Sequence, residues 1–359
     1  GRDVVDVLAG VPRQHVEYLA LGVHTHRSHG GGLLVATCAR RASAPEGGPR
    51  SSGDDPSAIP TTLGAARDWP TMTSDTTDRS DTFDIGGELT VNRLGFGAMR
   101  ITGEDIIGRP DDEDEAKAVL QRAVELGVDF VDTADSYGPG VSERLIGEAL
   151  GDPDDVVVAS KAGLLRNREG DWLPHGDPDF LKNQVLCSLD RLGTDTIDLY
   201  QYHRPDPDTD FEASVHAFAE MKDAGQIAHV GLSNVTVEQL ETATEIVDVA
   251  TVQNRYNVGH RDDEDVLRAC ERNGVGFIPW GPMYTVDEEG VAEALGEVAG
   301  RRDATPRQVA LAWLLEHSDV TLPIPGTSSV EHLESNVAAA ELSLTDEDVR
   351  ALNDVDPQA

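Results

Sequence analysis

From Asp81 onward two kinds of segment alternate along the chain. Short apolar, β-branched runs end at Gly97, Asp132, Lys161, His203, Ser233, Gln253, Trp280 and Pro325. Between them, apolar positions recur every three or four residues, the period of a helix with one buried face. Ala116, Val119, Leu120, Ala123 and Val124 make the clearest such helix, with acids before it and Gly127 after it. Asp177-Pro178 is a cap and first-turn pair opening another. Val215, Phe218 and Met221 line a further one, closed by Gly225. Ahead of all these, Thr82 to Val91 reads as a hairpin turning at Gly86-Gly87. Eight strands alternating with helices predict an α/β fold: a closed (β/α)8 TIM barrel with an N-terminal β-hairpin cap, over residues 82–359. A doubly wound sheet wants a third glycine after its first strand, and Gly95-Phe-Gly97 lacks it.

Charge narrows the partners. The 359 residues include 66 acids and 29 bases, for a net charge of −37. The lysines are Lys117, Lys161, Lys182 and Lys222. Such a surface repels nucleic acid and anionic membranes. No apolar run reaches the length of a membrane helix. Heavy acidity with scarce lysine points to a halophilic cytoplasm, where salt screens self-repulsion. Cys38, Cys187 and Cys270 form no disulfide or zinc pattern, and the last two fall in helical patterns as core thiols. Residues 1–71 contain seven arginines and seven acids, so the remainder carries the whole net charge. Residues 1–81 are expected to be a disordered extension, with Met72 a candidate for the true start. His24, His26 and His29 sit in an aperiodic Gly/Ser/Arg-rich context that argues against a metal site.

The chemistry gathers at the strand ends. Asp132, Tyr137, Lys161 and His203 fall at the C-terminal ends of successive strands, the face where barrels carry their active sites. A tyrosine can serve as an acid if a nearby ammonium lowers its pKa from about 10. Together these four types suit carbonyl reduction. Met99 and Arg100 follow the first strand and should reach the pocket mouth. The connection 162–177 is long and carries Trp172 and His175, so it is expected to shape the pocket. Met283 and Tyr284 are a second candidate wall.

Taken together, these residues resemble the aldo-keto reductase family over about residues 82–355. The resemblance rests on Gly95-Phe-Gly97, Asp132-Thr-Ala134, Tyr137-Gly138, Lys161, His203, Val230-Gly-Leu-Ser-Asn234, Gln253, Pro282, Pro325-Gly326 and Asn336. The phrasing is nearest to general oxidoreductases, with a looser similarity to pyridoxal reductases. The resemblance implies metal-free hydride transfer from NADP(H), or NAD(H), to a small-molecule aldehyde or ketone. Tyr137 is then the general acid, Lys161 lowers its pKa, Asp132 holds Lys161, and His203 orients the carbonyl. Ser233, Asn234 and Gln253 are implied to bind the nicotinamide carboxamide, with Trp280 stacked on the ring. Gly326, Thr327 and Ser328 are implied at the phosphates, ahead of a helix opening near Val330, with His332 and Asn336 on it.

Family members that grip a 2′-phosphate often have lysine where this chain has Gly326 and arginine where it has His332. Two other readings stay open. One is a nicotinamide-nucleotide sensor with little turnover; the other is a metal-dependent isomerase using Asp132, Asp135 and His203. The oligomeric state is left open.

Overall fold

The computed structural model describes residues 81–151 and 155–355. The expectations for residues 1–80, including the extension, Met72, Cys38 and the histidine cluster, lie outside the described residues. In chain order the elements begin with β1 (Thr82–Ile85), β2 (Leu89–Asn92), β3 (Phe96–Gly97), α1 (Glu113–Glu125), β4 (Phe130–Asp132), α2 (Val141–Leu150) and β5 (Val157–Ala162). Then come β6 (Leu164–Arg166), β7 (Trp172–Pro174), α3 (Pro178–Leu192), β8 (Ile197–Tyr202), α4 (Phe211–Asp223), β9 (Ile227–Ser233) and α5 (Val237–Thr244). The last are β10 (Val249–Gln253), α6 (Glu264–Asn273), β11 (Gly276–Phe277), α7 (Glu289–Arg302), α8 (Pro306–His317), α9 (Val330–Val337) and α10 (Asp346–Asn353).

Seven strands make one parallel sheet in the order β11-β10-β9-β8-β5-β4-β3. Residues 320–325 close it into a barrel. Their carbonyls accept from Phe277 N at 2.8 Å on one side and from Gly95 N and Gly97 N at 3.0 and 3.3 Å on the other. Toward β3, Pro323 and Pro325 have no N–H to return, while toward β11 Leu322 N donates to Phe277 O at 2.8 Å, so this eighth stave is not a regular strand. Buried Arg93 braces the seam, donating to the carbonyls of Leu315, Ser318 and Thr321.

The core has two shells. Inside the barrel, Phe130, Ala159, Leu199, Ala250, Ile278, Leu322 and Ile324 pack with Ile85 and Val91 of the hairpin β1–β2, which plugs the end opposite the strand tips. Between staves and helices lies the larger shell, to which α1 gives Ala116, Val119, Leu120 and Ala123. The helix starts follow the sequence: Asp177 accepts from the amides of Asp179 and Phe180, and Asp112 and Asp210 cap α1 and α4. Cys270 is buried as expected, but Cys187 is half-buried, because α3 turns Leu181, Val185, Ser188 and Leu192 inward instead. No helix among the described residues is long and apolar enough to cross a membrane.

One polar cluster in the outer shell gives a pH prediction. Tyr256 donates to Glu264, His317 Nε2 lies 2.8 Å from the Tyr256 hydroxyl, and the same nitrogen lies 3.3 Å from Glu264. The His317 bond, then the Tyr256 bond, lower the Glu264 carboxyl to about 2 against the cost of burial. A depressed carboxyl stabilises the fold above its unfolded value and loses that contribution as pH falls through the folded value. With its side chain over a third exposed, the contribution is about 1 kcal/mol after screening. Glu264→Gln should therefore be less stable than wild type at pH 7, with the gap closing between about pH 4.5 and 2. Denaturant titrations across that range check it.

Candidate active site

The strand tips carry the four residues of the sequence argument into one place. Asp132 ends β4 and pairs with Gly97 of β3 and Ala159 of β5. Lys161 on β5 lies beside Gln201 of β8. His203 follows β8 and donates its amide to Ala162 O at 2.8 Å. Tyr137 sits on the turn between β4 and α2. That turn is pinned by Asp135 N on Lys161 O at 3.1 Å and by Gly138 at φ +81°, where a Cβ would strike Val141.

Lys161 is fully buried beneath the cavity floor. Its Nζ donates to Asp132 Oδ1 at 2.6 Å and to the Thr133 carbonyl at 2.7 Å, and reaches the Tyr137 hydroxyl at 3.5 Å. Asp132 Oδ2 accepts from the side-chain amides of Gln201 at 3.0 Å and Gln253 at 2.8 Å. Burial lowers the Lys161 pKa, and Asp132 opposes that. The expected lowering of Tyr137 by Lys161 is not found. Burial first, then the Asp132 charge, holds the phenol well above its ordinary value. The ammonium is engaged by Asp132 and Thr133, with the phenol at the limit of its reach, so it does little against that burial. Tyr137 is thus a firmly protonated phenol.

His203 is driven well below its ordinary pKa by burial, then by the charges of Lys161 and Arg204, so its ring is neutral. Ser136 Oγ lies 3.4 Å from its Nδ1. Trp172 stands edge-on to both Tyr137 and His203, with ring centroids 6.2 and 6.5 Å away. It gets there because the long connection 162–177 is an ordered antiparallel hairpin, β6–β7. The Arg166 guanidinium lies 3.7 Å over the Trp172 ring and donates to the carbonyls of Asp105 and Ile106. His175 instead packs on Phe180, with centroids 4.6 Å apart.

On the other side of the cavity the residues implied at the nicotinamide bond one another. Ser233 donates to Gln253 O at 2.8 Å, Asn234 donates to His203 O at 3.0 Å, and Trp280 Nε1 donates to Asn234 Oδ1 at 3.1 Å. Gly97 and Gly326 face each other across the seam: a Cβ on Gly326 would lie 2.7 Å from the Gly97 carbonyl oxygen. A lysine at 326 therefore needs a backbone shift here, a physical reason for that departure from the family. Thr327 is buried, and Ser329 caps α9 by accepting from the His332 amide.

A cavity of about 300 Å³ brings together Asp132, Tyr137, His203, Met99, Arg100, Trp172, Ser233, Asn234, Gln253, Trp280 and Gly326. Thr327, Ser328, His332 and Asn336 do not line it; His332 is exposed on α9, and Asn336 faces inward. Sequence reading missed Ile106, Leu164 and Arg204 in the wall and Gln201 and Ser136 behind it. Gln201 stands two residues before His203, so the alternation of a strand could have flagged it. Nothing in the sequence marked Ile106, a β-branched residue held at φ +62°. For the metal reading, both Asp132 oxygens are engaged, burial pushes the Asp135 carboxyl up, and no group of His, Cys, Asp or Glu able to hold a metal ion occurs among the described residues.

The aldo/keto reductase family model matches residues 93–357, and the chain belongs to this family of oxidoreductases. It is 46% identical over 261 residues to an uncharacterised oxidoreductase of Schizosaccharomyces pombe, covering 73% of this chain and 85% of that protein. It is 40% identical over 286 residues to the pyridoxine 4-dehydrogenase of Escherichia coli, covering 77% and 98%. Among solved structures, an aldo/keto reductase from Klebsiella pneumoniae in complex with NADP and acetate superposes with a TM-score of 0.67. It is 26% identical, with 77% of this chain and 95% of that one covered.

Proposed function

We propose that this chain reduces small aldehydes or ketones with NADPH, pyridoxal-type aldehydes among them. One observation carries the reading: the Tyr137 hydroxyl and His203 line one cavity, with the buried Lys161 Nζ 3.5 Å behind the hydroxyl. NADP(H) is supported by the Klebsiella relative that binds it, and pyridoxal by the 40% identity to a pyridoxine dehydrogenase. The donor set fits such a cofactor. Ser233, Asn234 and Gln253 offer polar groups beside the flat Trp280, in a cavity that Gly97 and Gly326 also line. Thr327, Ser328 and the α9 N-terminus would receive phosphate, with His332 and Asn336 on that helix.

When bound, the dihydronicotinamide supplies the hydride. Tyr137 gives its proton to the oxygen that becomes the alcohol. Lys161 stabilises the phenolate left behind, which matters because burial otherwise opposes it. The Ser136 hydroxyl donates to His203 Nδ1, which leaves Nε2–H to hold the carbonyl oxygen. Trp172, across the cavity from the nicotinamide residues, walls the substrate side against water. We place this activity in a salt-rich cytoplasm, which the excess of 66 acids over 29 bases supports.

The test is fluorescence titration with NADPH and NADH in high salt, then single turnover against an aldehyde panel that includes pyridoxal. We expect NADPH to bind and to be oxidised by at least one aldehyde. Binding with no oxidation across the panel would favour a sensor, and binding of neither nucleotide would overturn the reading.

A further inference from the structure

Arg204 follows His203 directly at the top of β8 and lines the same cavity. It is half-buried. Its charge reaches the His203 imidazole and helps keep it neutral. Among the described residues it makes no hydrogen bond or ion pair. Arg100, which lines the same cavity, is likewise without one, but it is exposed where Arg204 is half-buried. Arg122, Arg191, Arg268 and Arg302 each hold at least one acid.

The acid nearest in sequence is turned away. Asp206 Oδ2 accepts from Gly176 N at 2.9 Å and Thr209 Oγ1 at 2.8 Å, and Oδ1 accepts from Asp208 N at 2.9 Å. The loop after β8 thus satisfies its own carboxylate and leaves the guanidinium bare. A partly desolvated charge without a partner costs stability, and a chain with 66 acids does not lack partners. The same cavity is walled in part by the apolar or aromatic Leu164, Trp172 and Tyr284. Arg100 belongs to the opposite rim: its Cγ is 3.7 Å from where a Cβ on Gly326 would stand, toward the nucleotide side.

We propose that Arg204 sets substrate choice by gripping an anionic oxygen carried close to the carbonyl that meets Tyr137 and His203. This rests on the reductase reading above. Two kinds of compound share that chemistry: an oxo acid, through its carboxylate, and a 3-hydroxypyridine aldehyde, through its ring oxygen. A guanidinium takes either with charge-assisted hydrogen bonds. The grip is local and works against a net charge of −37, so salt, which screens the long-range repulsion, spares it.

The experiment compares matched pairs under saturating NADPH: succinic semialdehyde against butanal, and pyridoxal against pyridine-4-carboxaldehyde. Wild type should favour the anionic member of at least one pair by about tenfold or more in kcat/KM, the size of one charged hydrogen bond. Whichever pair shows it identifies the source of the anion. Arg204→Gln should lose that preference, the anionic member falling about tenfold or more further than its neutral partner, and Arg204→Lys should recover part of it. No preference in either pair, or an equal loss on both members of a pair, overturns the proposal. If no carbonyl is reduced at all, the reductase reading fails and Arg204 is judged by binding. Succinate and 3-hydroxypyridine should then perturb the tryptophan fluorescence of wild type and not of Arg204→Gln. Silence in the wild type, or an equal response in the variant, sinks the role of Arg204.

Discussion

Tyr137→Phe should bind NADPH as wild type does and lose about 10²- to 10⁴-fold in the single-turnover rate of reduction, the range for removing a positioned general acid. The substitution deletes one oxygen and keeps the ring. The edge-on contacts with Trp172 and His203 therefore survive, and the cavity keeps its shape. Lys161 keeps Asp132 and Thr133 and loses its longest, weakest contact, at 3.5 Å. Stability should thus move by less than about 1 kcal/mol. The loss should fall on the chemical step, because the proton is needed only as the alkoxide forms. The direction of the Tyr137 shift adds a pH signature. A phenol raised well above its ordinary value stays protonated throughout the neutral range, so Tyr137 contributes no fall in the wild-type rate between pH 6 and 9. Stopped-flow oxidation of bound NADPH, with variant and wild type at matched saturation, measures both. A variant within threefold of wild type removes Tyr137 as the acid.

The strand tips were legible because polar residues at the ends of apolar runs interrupt a strong periodicity. Asp132, Lys161 and His203 each stop a run that otherwise reads as buried strand, and the barrel then leaves them few places to go. The eighth stave was legible only as a run ending at Pro325; its irregular bonding, acceptor-only toward β3, follows from two prolines whose consequence needs the neighbouring strands to be seen. The hairpin over 162–177 was hidden because its strands are three residues each and lack alternation. Electrostatics was the least legible layer. A lysine near a tyrosine suggests a lowered phenol, yet the outcome turns on which acceptors the ammonium reaches first. Arg204 shows the same limit: sequence places a cation after His203 but cannot say that Asp206 faces its own loop.

Asp132→Ala should be the most damaging single change at the site, because one carboxylate serves three donors there. Its Oδ1 takes Lys161, and its Oδ2 takes the amides of Gln201 and Gln253. All four side chains are buried, so no water replaces the lost acceptor cheaply. Removing one partner of a buried ion pair leaves the other charge uncompensated, at about 3–5 kcal/mol. In a barrel of this size that lowers the melting temperature by roughly 10 °C. Burial already depresses the Lys161 pKa and Asp132 is the largest opposing influence, so the variant should hold Lys161 more weakly charged. Turnover then falls for a second reason, because less positive charge remains beside the Tyr137 phenolate. The double variant Asp132→Ala with Lys161→Met separates the two effects. Removing both charges should restore part of the stability, with a coupling of about 1–3 kcal/mol, and should restore no activity. Thermal unfolding and single turnover on Asp132→Ala, Lys161→Met and the double variant decide it. If Asp132→Ala melts within a degree or two of wild type, or the double variant is no more stable than the sum of the singles, the buried pair does not hold the site as described.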